Sequence, residues 1–423
     1  MSAVTPTESI GRTGGRIGIA ILVGSALGYL VVVGTGRLLD NADYAIFMTF
    51  WGALFGLGSA LGPIEQELSR LSAHAAVTGR PVGRDAVTTT VVGAVAVAAV
   101  GLALVTPAAT DRLFGGNAVL GVVVAVCGVA FAAQFAVRGL LIGTDQIRPY
   151  AKLIVAEAAV RPLLIAVVVV LGMSGMVSLA IAVGVGSFAW ILFVRSAVGR
   201  VDRSLPGDPV RVVTPRVLLL LAGAALTASV ITGYPAMVGL LAPGGDRDAL
   251  AGLYAALAVA RIPLLMFAPV QALAVPMVVR LASAAEGVRR LRRILAVGTV
   301  GSVALAALGA LVGALIGPWV VSLLFGARYE VGGASVAGLV WSSVILVAVQ
   351  LLTAALVALV RPGQVLLTWL AVAVTAAGVL VVDFADPVER AVWGLAIAPT
   401  VGLVVAVVFV ARAAGRHRES VGN

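Results

Sequence analysis

The sequence predicts an all-α integral membrane protein, with twelve transmembrane helices in two parallel six-helix repeats that form two lobes. Three observations carry that prediction. The composition is too apolar for water, apolar runs of bilayer length recur from end to end, and the second half repeats motifs of the first.

Hydrophobic residues make up 61% of the 423, charged residues only 11%, and the mean hydropathy is +1.11. A soluble domain is about one quarter charged. A helix needs about 20 apolar residues to cross a bilayer, and such runs fall at roughly 16–36, 44–76, 86–106, 117–143, 150–171, 175–196, 216–241, 249–281, 293–316, 333–360, 364–382 and 389–411. The first run follows "GRTGGR" with no small-residue cleavage site, so it reads as a retained helix. The one cysteine, Cys127, lies within the fourth run and leaves no intramolecular disulfide to form.

The formal charge of +10 does not point to nucleic acid, because its distribution follows topology. With the N-terminus inside, most of the 29 basic residues fall on cytoplasmic ends and loops, among them Arg80, Arg84, Arg148, Arg200, Arg211 and Arg290. Outer loops are acidic, with Asp40, Asp43, Asp111, Asp246 and Glu330. That asymmetry predicts a multi-pass protein of the plasma (inner) membrane with both termini cytoplasmic.

Internal repetition supports two lobes. A shift of 210 lays Arg37 on Arg247, Tyr44-Ala45 on Tyr254-Ala255 and Arg70-Leu71 on Arg280-Leu281. A shift of 211 lays Leu113-Phe114-Gly115 on Leu324-Phe325-Gly326. Six spans per unit give both halves the same orientation, as parallel repeats about an axis along the membrane normal. The expected organisation is a lobe over 1–200, a basic, proline-bearing cytoplasmic linker over 201–215, and a second lobe over 216–423. Lobes joined by a flexible strap can rock about a central cleft. The glycine pairs Gly24/Gly28, Gly52/Gly56, Gly58/Gly62, Gly309/Gly313 and Gly313/Gly317 predict close helix packing.

Taken in chain order, few polar groups lack an ordinary explanation. In span 2, Glu65 lies about 31 Å along the helix from Tyr44, which puts Glu65, Gln66, Glu67 and Arg70 at the cytoplasmic edge, beyond a kink at Pro63. Two readings stand: a solvated helix end with its own short-range pairs, or the mouth of the cleft, with Arg280 as the counterpart in the other half. In span 4, Gln134 and Arg138 are candidates for a substrate site. In span 5, Glu157 and Arg161 sit at i, i+4 on one helical face, as an internal salt bridge or as a cavity-facing pair that offers a guanidinium to an anion. In span 8, Arg261 and Gln271 accompany three prolines, which a helix tolerates where it lines a cavity. Charges deep in a span are functional candidates by default, and this inventory is rich in cations, which suits an anionic cargo. No P-loop, no Cys-x-x-Cys and only two histidines, His74 and His417, occur. No enzyme activity, cofactor or metal is therefore expected.

Four stretches resemble one family. "GTGRLLDNADYAIFMTF", "RGLLIGTDQIRPYAKLIVAEAAVRP", "ARIPLLMFAPVQALAVPMVVRLAS" and "VVSLLFGARYEVGG" are similar, in the same order, to stretches of the polysaccharide transporters, the O-antigen-flippase-like branch of the MATE-like (MOP) superfamily. The resemblance implies a flippase that turns a polyprenyl-diphosphate-linked oligosaccharide, a polysaccharide precursor, from inner to outer leaflet by alternating access. Its partners would be that lipid-linked glycan, the membrane lipids, and the glycosyltransferases or polymerase of the same pathway. The sequence departs from the superfamily's cation-coupled drug exporters, which use acids in the first lobe, because span 1 has none. A multidrug or metabolite antiporter of the same fold and a non-transporting membrane scaffold for glycan assembly stand as the alternatives.

Overall fold

Long apolar segments in lipid must satisfy their backbone internally, and helices do so segment by segment. The computed structural model describes residues 6–79, 81–199, 201–202, 204–205, 207–262, 264 and 287–421. Among them no β-strand forms, and there is one isolated parallel bridge, Val82 with Val201. The helices are α1 (Pro6–Leu38), α2 (Asn41–Ala60), α3 (Gly62–Thr78), α4 (Arg84–Leu104), α5 (Pro107–Phe114), α6 (Ala118–Gly143), α7 (Ile147–Val170), α8 (Met176–Val185), α9 (Val194–Val198), α10 (Val210–Ile231), α11 (Tyr234–Leu241), α12 (Arg247–Ala260), α13 (Gly287–Phe325), α14 (Gly333–Ala358), α15 (Pro362–Val381) and α16 (Pro387–Val421). Ten helical segments are long and apolar enough to cross a membrane, with α2 and α3 counted as one. Their outward faces carry exposed Leu102, Leu163, Leu219, Val300 and Leu315, which is what a lipid-facing surface requires.

Two of the twelve expected spans are not among those ten. The eighth, 249–281, is described through α12 and at 261, 262 and 264, and lies otherwise outside the described residues. The sixth is 10 residues of α-helix followed by 7 of 3₁₀ helix, Gly186–Leu192. The 3₁₀ pitch restores length: about 15 Å plus about 14 Å comes close to a hydrocarbon core of about 30 Å. Span 2 breaks where Pro63 removes a backbone donor, and α2 closes at Leu61, whose N–H donates to Gly58 O at 3.0 Å.

The chain divides into two compact units, Met1–Leu240 and Leu241–Asn423. In the first unit α6 is central, packed on α3, α4 and α7. Glycines permit these approaches. A Cβ on Gly139 would come within 2.5 Å of Glu65 O and 2.8 Å of Leu68 Cβ, and one on Gly128 within 2.6 Å of Val97. Gly52 and Gly56 lie against Pro235 and Gly233, so α2 receives the α10–α11 turn. Helix α10 packs on α2, α3 and α4 and thus within the first unit.

The connector before α10 is docked. Asp202 N–H donates to Val82 O at 2.9 Å, and Arg84 N–H to Leu205 O at 3.4 Å. Gly207 lies against Asp85, and Arg216 pairs with Glu67.

In the second unit α14 packs on α13 and α16, and α15 on α16. Gly313 and Gly317 face Val336 and Val340. The two Leu-Phe-Gly motifs behave alike. Each ends a helix on a buried phenylalanine, Phe114 or Phe325, followed by a glycine at positive φ, Gly115 at 60° and Gly326 at 112°.

The α3–α6 seam makes one prediction. Gly139→Val forces the Glu65 backbone away from α6, and overpacking of this kind costs about 2 kcal/mol; thermal unfolding in detergent should show a clear loss relative to Gly28→Val, where a Cβ meets nothing within 4 Å.

Candidate functional site: a charge network in the first unit

A lone ion inside an apolar bundle is costly unless it is paired and hydrogen-bonded. Glu157 and Arg161 are 8% and 6% exposed on α7, and Arg161 Nη2 donates to Glu157 Oε1 at 2.6 Å. The other carboxylate oxygen, Oε2, accepts from Arg138 Nη2 of α6 at 2.9 Å. Glu157 thus holds one guanidinium on each oxygen. Arg138 also lies 3.9 Å from Glu65 Oε2 of α3, and Tyr150 Oη donates to Glu65 Oε1 at 2.7 Å. The result is a chain, Tyr150–Glu65–Arg138–Glu157–Arg161, across α3, α6 and α7, with two acids balancing two bases.

Local sequence builds each part. The i, i+4 spacing of Glu157 and Arg161 aligns them on one helical face. Gly186, at the start of the 3₁₀ segment, leaves the gap into which Arg161 fits, since a Cβ there would meet Arg161 Nε at 2.7 Å. Both guanidiniums lie over aromatic faces: Arg161 is 4.8 Å from the centre of the Phe55 ring, and Arg138 5.2 Å from that of Phe135. These rings belong to a row with centroid separations of 6.3 Å for Phe47–Trp51, 4.2 Å for Trp51–Phe55, 6.0 Å for Phe55–Phe131 and 6.4 Å for Phe131–Phe135.

Some polar atoms in this cluster have no hydrogen-bond partner among the described residues: the donors Arg138 Nε and Arg161 Nε, and both the donor Nε2 and the acceptor Oε1 of the fully buried Gln134. A buried polar group left in that state costs about 1–3 kcal/mol.

The other charges of the opening stretch behave differently. Glu67 takes Arg70 Nη2 at 2.8 Å and also pairs with Arg216, but these two arginine side chains are 59% and 41% exposed. Gln66 is exposed and joins neither cluster. Glu65 and Glu67, two residues apart, therefore serve different networks: Glu65 meets the part-buried Arg138, whereas Glu67, itself buried, meets arginines that reach the surface. Arg261 belongs to the second unit, is half-buried, and caps α12 with its N–H directed to Leu257 O and Ala258 O. Gln271 and Arg280 lie outside the described residues. Among the described residues no group of three or more His, Cys, Asp or Glu side chains could hold a metal ion.

Sequence reasoning missed Tyr150, Gly186 and the aromatic row. The row had a signal, since Phe47, Trp51 and Phe55 are spaced by four, as are Phe131 and Phe135. Tyr150 pairs with Glu65 across 85 positions, and nothing local announces it.

The two networks differ in cost when broken. Glu157→Ala strands two guanidiniums, a loss of about 3–5 kcal/mol, whereas Glu67→Ala breaks pairs whose cations reach solvent, worth about 0–1 kcal/mol. Detergent melting curves should place Glu157→Ala far below Glu67→Ala.

No protein-family model matches this chain. Full-length relatives do. The chain is 32% identical over 421 residues, 97% of itself and 94% of the relative, to "Uncharacterized protein Rv1510" of Mycobacterium tuberculosis (strain ATCC 25618 / H37Rv). It is 28% identical over 425 residues, 96% of each, to "Uncharacterized protein Mb3654" of Mycobacterium bovis. Among solved structures, an inward-facing multidrug resistance MATE family transporter of the MOP superfamily superposes with a TM-score of 0.67 at 14% identity, over 94% of this chain and 99% of that one. The outward-facing form of such a transporter gives 0.64 at 15%, over 96% of each. A MOP superfamily transporter from Pyrococcus furiosus, described as having a binding pocket of reverse polarity, gives 0.58 at 15%, over 95% and 96%. The chain belongs to the family of Rv1510, and it is a multi-pass membrane protein with the fold of the MATE transporters.

Proposed function

We propose that this protein is a flippase that carries a polyprenyl-diphosphate-linked oligosaccharide from the inner to the outer leaflet by alternating access. In this reading it sits in the plasma membrane with both termini cytoplasmic, and glycosyltransferases or a polymerase of the same pathway work beside it. The observation that carries the reading is the Arg138–Glu157–Arg161 triad, with both guanidiniums stacked on aromatic rings and an Nε on each left without a partner.

The triad supports an anionic cargo through charge balance. Bare cations could not wait in this setting, so Glu157 and Glu65 act as resident counter-ions. A diphosphate exchanges with them, taking the two guanidiniums in bidentate, charge-assisted hydrogen bonds. The lipid tail remains in the bilayer. Outward movement of negative charge from a negative-inside cell releases about 2.3 kcal/mol per charge per 100 mV, so ion coupling is not required.

One alternative has an observation of its own. Glu157 is a buried acid and Glu65 a part-buried one, in a fold whose solved neighbours include multidrug resistance transporters, and such acids also suit a small organic cation exchanged for a proton or metal ion.

In cells lacking the gene, lipid-linked glycan should accumulate. Arg161→Ala and Arg138→Ala should lower its export at least tenfold at equal protein level, and Arg161→Lys should only partly restore it, since an ammonium lacks the planar fork. Unchanged export in the alanine variants, or uptake of a small cation by purified protein in liposomes without any glycan phenotype, would favour the antiporter.

A further inference from the structure

Gln134 lies on α6 one turn before Arg138. Its side chain is fully buried, yet neither amide atom has a hydrogen-bond partner among the described residues. Buried amides are nearly always satisfied, and a leucine would fill the same volume on this apolar helix without an unmet donor or acceptor. Retaining the amide therefore carries a stability penalty.

Its surroundings indicate what the amide could serve. Phe131, three residues earlier, and Arg138, four later, share its helical face. Phe131 links the Phe55 ring at 6.0 Å to the Phe135 ring at 6.4 Å, and Phe55 continues to Trp51 at 4.2 Å. Both guanidiniums of the charge network cover rings of this row. The amide thus shares a helix face with one ring of that row and with one of the two cations. A sugar joined to a diphosphate needs those three things together: an aromatic face against its C–H surface, a paired donor and acceptor for its hydroxyls, and cations for its phosphates.

We propose that Gln134 reads the hydroxyls of the sugar nearest the diphosphate, with Trp51 and Phe55 as the stacking platform; this rests on the flippase reading and adds the residues that select a glycan head group. In this conformation the amide is covered, whereas Trp51, Phe55 and Phe135 are only half-buried, so the proposal requires a conformation of the transport cycle in which the amide is uncovered.

The test is Gln134→Leu in the full-length protein, reconstituted in nanodiscs, with two probes: polyprenyl diphosphate and polyprenyl-diphosphate N-acetylglucosamine. The wild type should bind the sugar-bearing lipid more tightly. In Gln134→Leu the ratio of the two Kd values should fall about tenfold, while the melting temperature stays level or rises because the unmet amide is gone. Trp51→Leu should lower the same ratio and Trp51→Phe should preserve it. A retained ratio in Gln134→Leu, or a melting temperature well below wild type, overturns the proposal and makes the amide structural. A wild type that binds both lipids equally overturns this proposal alone, and one that binds neither removes the flippase reading as well.

Discussion

Charge compensation inside an apolar bundle governs the first unit. Glu157 has a guanidinium on each oxygen, so helices α6 and α7 cannot shift independently without exposing a buried ion. Glu65 extends the tie to α3 through Arg138, and Tyr150 orients Glu65. The packing around the network serves the same end. Gly139 brings the backbone of Glu65 against α6, and Gly186 with its 3₁₀ turn opens the space that Arg161 fills. Small residues that look like generic membrane packing are what set the ion distances here.

That constraint also shapes the functional reading. A salt bridge internal to one helix and a guanidinium available to an anion look like rivals when only the sequence is read. A network with one carboxylate between two arginines makes them compatible, because each cation already has one oxygen to exchange and an Nε in reserve. The stacked rings matter for the same reason: they hold the flat cations in place without using up their hydrogen bonds.

Much of the fold was legible in the sequence, because span length and composition follow directly from bilayer thickness. The all-helical character and most bounds of the ten long segments were readable in this way, but the seventh, expected at 216–241, runs over 210–231, and the ninth, expected to end at 316, runs to 325. The sixth segment was harder, since hydropathy cannot tell an α-turn from a 3₁₀ turn. At the site, Glu157 with Arg161 was readable as a local i, i+4 pair, whereas the roles of Arg138, Glu65 and Tyr150 depend on which helices meet. Glu65 and Glu67 show the limit most clearly: two positions apart on one helix, they turn to different partners, Arg138 of α6 and Arg216 of α10, and a phase of roughly 200° between them acquires meaning only once α6 and α10 are in place.

The docked connector has a consequence for how the chain is made. With Val201, Asp202 and Leu205 bonded to the α3–α4 turn and α10 seated on α2, α3 and α4, the first unit is unfinished when the ribosome has delivered only the leading six apolar segments. Until residues near 240 emerge, the Gly52 and Gly56 seam of α2 stays uncovered in the bilayer, a nascent surface that the insertion machinery or a membrane chaperone would have to shelter.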